Sequence, residues 1–101
     1  MMNQVIVVGR LVDDVKIEKT ESGKSITTIT LDVKRNYKNE NGEYESDYID
    51  CELWYAVAEQ TKEYAEKGSL VGIRGRLQKN EKNEMKVIAD KVSLLSTKKE
   101  V

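Results

Sequence analysis

Tyr48, Asp50, Glu52 and Trp54 are spaced two apart, so a strand would set all four on one face, with Ile49, Cys51, Leu53 and Tyr55 on the other. Two chemistries are open to the first set. Asp50 and Glu52 could act as an acid–base pair, but they would stand roughly 7 Å apart along the strand. The chain has no His and offers no third group to complete a hydrolytic site, so no enzyme is expected. Tyr48 and Trp54 suggest the second chemistry. A large ring left on a wet sheet face forgoes roughly 1.5–3 kcal/mol of burial. Such a ring is useful when another flat group stacks on it, and a nucleobase is the commonest such partner. A loop or a second subunit lying over the two rings would account for them equally well.

Two further groups bear on that choice. Tyr37 and Tyr44 stand in a polar stretch beside Lys34, Arg35 and Lys38, so aromatics alternate with cations there as they would along a nucleic-acid backbone; packing of both rings onto the sheet is the alternative. Arg74 and Arg76 share the outer face of a later strand, suited to phosphate contacts or to stacking under bases. Solvated charges, or pairs with Asp50 and Glu52, would look the same. Cys51, the single cysteine, falls on the inward face and reads as a small core residue. With one Cys and no His, the usual zinc sites cannot be assembled, and no metal or other cofactor is implied.

The elements that must position these residues fit one domain of 101 residues. Charged residues make up 35% and hydrophobic ones 39%, with no Pro or Phe, which indicates a soluble globular class. No apolar run approaches the roughly 18 residues of a membrane span and no leader pattern opens the chain, so a cytoplasmic protein without a membrane partner is expected. The net charge of -1 argues against duplex binding, where proteins are usually basic. Single-strand binders depend less on bulk charge, because stacking supplies about 1–3 kcal/mol per base and a local basic groove can track the backbone.

Val5 to Val12 reads as a buried strand bent at Gly9, and an extended alternation resumes from Val15 to Lys19. Glu21 to Lys24 is a turn. Ile29 to Lys34 alternates strictly, Arg35 to Glu45 is a polar hairpin loop containing Asn41-Gly42, and the Tyr48 strand follows. Ala56 to Lys67 is rich in helix formers, with Val57, Thr61, Tyr64 and Ala65 as its apolar stripe and Gly68 as its stop; Tyr64 is expected in the core. Leu70 to Leu77 and Met85 to Leu95 are the last strands, the latter with Ile88, Val92 and Leu94 in one phase. The order is three strands, one helix, two strands. That is the order of an OB-fold, a mainly β, five-stranded Greek-key barrel with its helix between strands 3 and 4, although an open α+β sheet would give the same string. The expected domain is 1–96, with a short charged tail at 97–101.

Over nearly its whole length the chain resembles the bacterial and phage single-stranded DNA-binding proteins. The resemblance is carried by Met2-Asn3-Gln4-Val5-Ile6-Val7-Val8-Gly9-Arg10-Leu11, by Ser22-Gly23-Lys24, and by Asn41-Gly42-Glu43-Tyr44. It continues through Tyr48-Ile49-Asp50-Cys51, Lys67-Gly68-Ser69-Leu70-Val71, Gly75-Arg76-Leu77 and Ala89-Asp90-Lys91-Val92. It implies an OB-fold, a homotetramer, and sequence-independent coating of single-stranded DNA in replication, recombination and repair. Bases would stack on Tyr37, Tyr48 and Trp54, and Arg10, Lys34, Arg35, Arg74 and Arg76 would meet phosphates. The chain departs from the family in two places. Its hairpin at Lys79 to Glu84 is short and lacks an aromatic, which predicts a smaller contact area. No acidic tip follows Lys98-Lys99, so recruitment of replication and repair proteins is not expected. The alternative reading is an OB-fold interaction module, like a primosomal accessory protein, whose aromatic face docks a protein; Asp50 and Glu52 favour it, since carboxylates repel phosphate.

Overall fold

Four consecutive β-branched residues, Val5 to Val8, dictate the first strand, β1 (Val5–Leu11): Val7, Gly9 and Leu11 are buried while Ile6 and Val8 face outward. A computed structural model describes residues 1–97; apart from Thr97, the charged tail lies outside the described residues. A two-residue strand β2 (Glu18–Lys19) leads to β3 (Ser25–Lys38) and β4 (Tyr44–Trp54), followed by the helix α1 (Tyr55–Tyr64), β5 (Leu70–Lys79) and β6 (Met85–Ser96). The sheet runs β1-β5-β6-β4-β3-β2, and β1 also pairs with β3. The five long strands therefore close into a barrel, with β2 added at an edge of β3.

Closure depends on two local devices. β1 pairs with β5 from Val5↔Gly75 to Arg10↔Leu70 and then reaches β3 through Arg10↔Asp32 and Leu11↔Leu31. At this crossing a Cβ on Gly9 would lie 2.7 Å from the Asp32 carbonyl oxygen, so only glycine allows the approach. The other closure is a parallel seam between β4 and β6, paired at Cys51↔Val87 and Glu52↔Ile88. Leu31, Leu53, Val71 and Ile73 fill the interior.

The structure corrects several sequence boundaries. The expected loop from Arg35 to Glu45 is mostly strand: β3 and β4 continue as a long hairpin, irregular between Lys34 and Lys38, whose turn is confined to residues 39–43. The Asn39 side-chain oxygen accepts from the Asn41 and Glu43 amides at 2.9 and 3.0 Å, with Gly42 at φ 77°. The β5–β6 turn repeats this design, with Asn80 accepting from Lys82 and Glu84 and Asn83 at φ 64°. The helix stops at Tyr64 rather than Lys67. Its buried stripe is Ala58, Thr61 and then Ala65, small residues that let it sit close to β3, β4 and β6. Tyr64 is not core: it is 39% exposed and its hydroxyl donates to the Val92 carbonyl at 2.8 Å. In β6 the pairing skips Asp90, so Val92 pairs with Ile73 while Ile88 pairs with Arg76, and the single phase expected for Ile88 and Val92 is broken by a bulge. Among the described residues no helix is long and apolar enough to cross a membrane.

Candidate nucleic-acid interface

Period-two alternation of β3 and β4 sets one row of side chains outside the barrel. Tyr48 stands opposite Asp32, Asp50 opposite Thr30, Glu52 opposite Thr28 and Trp54 opposite Ile26. Tyr48 is 66% exposed and Trp54 half-buried. The six residue steps from one to the other put the two rings about 20 Å apart along the strand. On the hairpin beyond, Tyr37 and Tyr44 are also exposed, with the Lys38 ammonium 5.7 Å from the centre of the Tyr44 ring. Tyr37, Tyr44 and Tyr48 keep 61%, 50% and 66% exposure, more than rings packed flat onto the sheet would keep.

The two carboxylates that β4 places on this face are already engaged, whereas one oxygen of Asp32, opposite Tyr48 on β3, is buried without a hydrogen-bond partner among the described residues. Asp50 accepts a hydrogen bond from the Thr30 hydroxyl at 2.6 Å. Glu52 accepts the Trp54 indole N–H on one oxygen at 2.6 Å and meets the Lys86 ammonium on the other, also at 2.6 Å. Lys86 stands on β6, so this chain of contacts crosses the β4–β6 seam and fixes the indole as it does so. A charge shared between an ammonium and an indole N–H repels a phosphate far less than a bare carboxylate.

The expected cations fall into four places. Arg10 and Lys34 line a cleft of about 670 Å³ together with Lys67 and Asp32, and Arg10 donates to the Gly68 carbonyl at 3.1 Å. Arg76 lines a second cleft, of about 550 Å³, beside Trp54, where it is paired with Asp90 at 2.8 Å rather than with Asp50 or Glu52. Arg74 lies elsewhere: it stands opposite Ile6 and Lys91, beside the exposed apolar patch of Ile6, Val8 and Leu95. Arg35 is bound by Asp47 through two hydrogen bonds of 3.0 and 2.9 Å and by Glu45 at 3.1 Å. The Asp47 hydrogen bonds raise the pKa of Arg35, and Arg35 holds the Asp47 carboxyl below its usual range. Arg35 is thereby a brace of the hairpin, with less of its charge available to a phosphate. Burial pushes the Cys51 thiol up to about 11, in keeping with a core residue.

Three residues of this surface escaped the sequence reading. Lys24 and Lys86 line the Trp54 cleft from a turn and a strand start, where isolated lysines carry no signal. Tyr55 lines it too, although strand alternation assigns its side chain to the core face. Tyr55 takes φ 55°, which turns its ring out of that face and leaves it 54% exposed. Its ring centre lies 6.0 Å from that of Trp54, with the planes at 41°. Among the described residues no cluster of His, Cys, Asp or Glu is arranged to hold a metal ion.

Comparison with known proteins bears on this surface. The family model described as the single-strand binding protein family matches residues 2–95. Single-stranded DNA-binding protein B of Bacillus subtilis is 42% identical over 106 residues, covering 97% of this chain and 94% of that protein. A single-stranded DNA-binding protein of Enterococcus faecalis is 46% identical over 78 residues, covering 77% of this chain and 42% of its own length. Among solved structures, the wild-type single-stranded DNA binding protein from Thermus aquaticus superposes with a TM-score of 0.77 at 27% identity, over 94% of this chain and 50% of that one. The chain thus spans about half the length of the Thermus protein.

Proposed function

The chain belongs to the single-strand binding protein family, and from that premise we propose that residues 1–96 coat single-stranded DNA without regard to sequence, in replication, recombination and repair. The observation that carries the reading is the outward row of exposed Tyr48 and half-buried Trp54 on β4, extended by exposed Tyr37 on the hairpin arm. Each ring presents a face on which a base can stack, and stacking tolerates any base because every base has a π-face. Arg10 and Lys34 on one side, and Arg76 by Trp54, supply the cations that track phosphates; Arg35 contributes through the shape of the arm, and Arg74 stands apart from this track. The protein acts by binding alone, with no chemistry of its own, in the cytoplasm where single strands arise. The interaction-module alternative is not favoured, because the carboxylates that spoke for it are engaged by Thr30, Trp54 and Lys86.

Self-association belongs to the same reading. Ile6 is 72% exposed and Val8 46%, and with Leu95 they form an apolar patch on the outer face of β1, β5 and β6, away from the aromatic row. A homotetramer assembled through this patch would leave the DNA face open.

The test is the fluorescence of Trp54, the only Trp of the chain, titrated with a deoxythymidine oligomer at low and high salt. Quenching that weakens as salt rises, with a slope of about -0.7 in log K against log salt for each neutralised phosphate, is the expected result. A chain that neither quenches nor retains the oligomer by a second method would refute the reading.

A further inference from the structure

We infer that Tyr55 is a second base-contacting ring which, with Trp54, forms the wall of a pocket for one nucleotide at the helix end of the DNA track. The inference rests on the single-strand-binding reading and adds to it a residue that alternation hides.

The backbone supplies the first argument. A chain leaving β4 for α1 needs one residue that reverses its direction, and glycine or asparagine would take φ 55° at little cost. Tyrosine is a poor choice for that conformation, and its ring gains little burial in return, being 54% exposed. A bulky side chain held in the left-handed region, with its ring in solvent, points to a use for the ring.

The arrangement of the rings supplies the second. Consecutive strand residues point to opposite faces, yet here Trp54 and Tyr55 lie on the same side, 6.0 Å apart and at 41°. They do not stack on each other, so each keeps a face available to a third flat group. The Tyr55 hydroxyl has no partner among the described residues, whereas the indole N–H is fixed by Glu52. One ring of the pair is therefore locked and the other can adjust.

The cleft they share supplies the third. It measures about 550 Å³, within the range of small-ligand sites, and Lys24, Arg76 and Lys86 line it. The two carboxylates present, Glu52 and Asp90, are paired with Lys86 and Arg76, at 2.6 and 2.8 Å. Lys24 makes no ion pair among the described residues, which leaves its ammonium for an anion. Two angled rings beside an unpaired cation match a nucleobase with its phosphate better than they match a neutral peptide.

The experiment compares the full chain with Tyr55→Gly, Tyr55→Phe and Tyr48→Ala, each titrated into a fluorescein-labelled deoxythymidine oligomer by anisotropy and each melted without DNA. Tyr55→Phe should bind within about twofold of wild type, since stacking needs the ring and not the hydroxyl. Tyr55→Gly should lose about tenfold in affinity, while its melting midpoint stays level or rises because glycine accepts the positive φ. Wild-type affinity in Tyr55→Gly, with Tyr48→Ala weakened, would overturn the role of Tyr55 and leave the function standing. Affinity and midpoint falling together would also overturn it, by making the ring a packing element. A wild-type chain that does not bind the oligomer would remove both the role and the function.

Discussion

Replacing Glu52 by Gln tests the balance of charge at the indole. Glu52 holds the indole N–H and the Lys86 ammonium at 2.6 Å each, and its side chain is 12% exposed against 31% for Lys86. Glutamine keeps an oxygen for the indole but presents no charge to the ammonium, so Lys86 is released toward the cleft. Losing a charge-assisted contact at this partial exposure should cost about 1 kcal/mol of stability, or about 4–8 °C in melting midpoint for a domain of this size. Affinity should move the other way. One newly available cation steepens the slope of log K against log salt by about 0.7, so the loss of affinity between about 50 and 200 mM salt becomes about 2.6 times larger than in wild type. At the lower salt the variant should bind more tightly. Trp54 fluorescence titrations at the two salt concentrations measure both effects. Lys86→Ala alone should leave the slope near that of wild type, and the double variant should return to it. Weaker binding by Glu52→Gln at both concentrations with an unchanged slope would refute the reasoning, because Lys86 would then not reach DNA and Glu52 would contribute only as a contact.

Tyr48→Ala should lower affinity by about 1–3 kcal/mol while changing stability by no more than about 0.5 kcal/mol, since the ring is exposed; Trp54→Ala should lower affinity similarly but lose stability as well, as urea unfolding will show. Equal losses in binding and folding for Tyr48→Ala would make that ring a structural element. The Cys51 thiol titrates near 9.0 when exposed and is pushed up to about 11 in the fold. The unfolded chain therefore gives up its proton first, so stability should fall as pH rises from about 9 to 11, and Cys51→Ala should flatten that limb in unfolding curves. Native Cys51 should also resist a thiol reagent at pH 8 and react once the chain is unfolded. Ile6→Asp, which puts a charge in the apolar patch, should lower the mass found by sedimentation velocity and leave the fold intact by circular dichroism.

Much of the fold was legible because strands buried on one side enforce a period of two: Ile29, Leu31 and Cys51, Leu53 turn inward as that rule requires. The barrel was legible only as an order of elements, since the closing contacts at Arg10↔Asp32 and Cys51↔Val87 join residues far apart in the chain. Exposure of Tyr48 followed from alternation, but that of Tyr55 did not, because one left-handed residue cancels the rule locally. The bulge at Asp90 hid the phase of Ile88 in the same way. Charge was the least legible quantity. Arg35, Arg74 and Arg76 look equivalent as a list of cations, yet one braces the arm, one borders the apolar patch and one stands by the indole. Only pairing geometry separates them.

The β4–β6 seam is held by a brief parallel register and by the Glu52–Lys86 pair across it, whereas the other strand pairs forming the barrel are antiparallel. Local opening should begin at such a junction, and the amide hydrogens that these four residues, Cys51, Glu52, Val87 and Ile88, direct across the seam should exchange with solvent sooner than those directed between β3 and β4. Because the indole hangs from the same glutamate, a base resting on Trp54 would hold the junction shut. Occupancy by DNA should then appear as slowed amide exchange at residues 87 and 88, across the seam from the strand that carries Trp54.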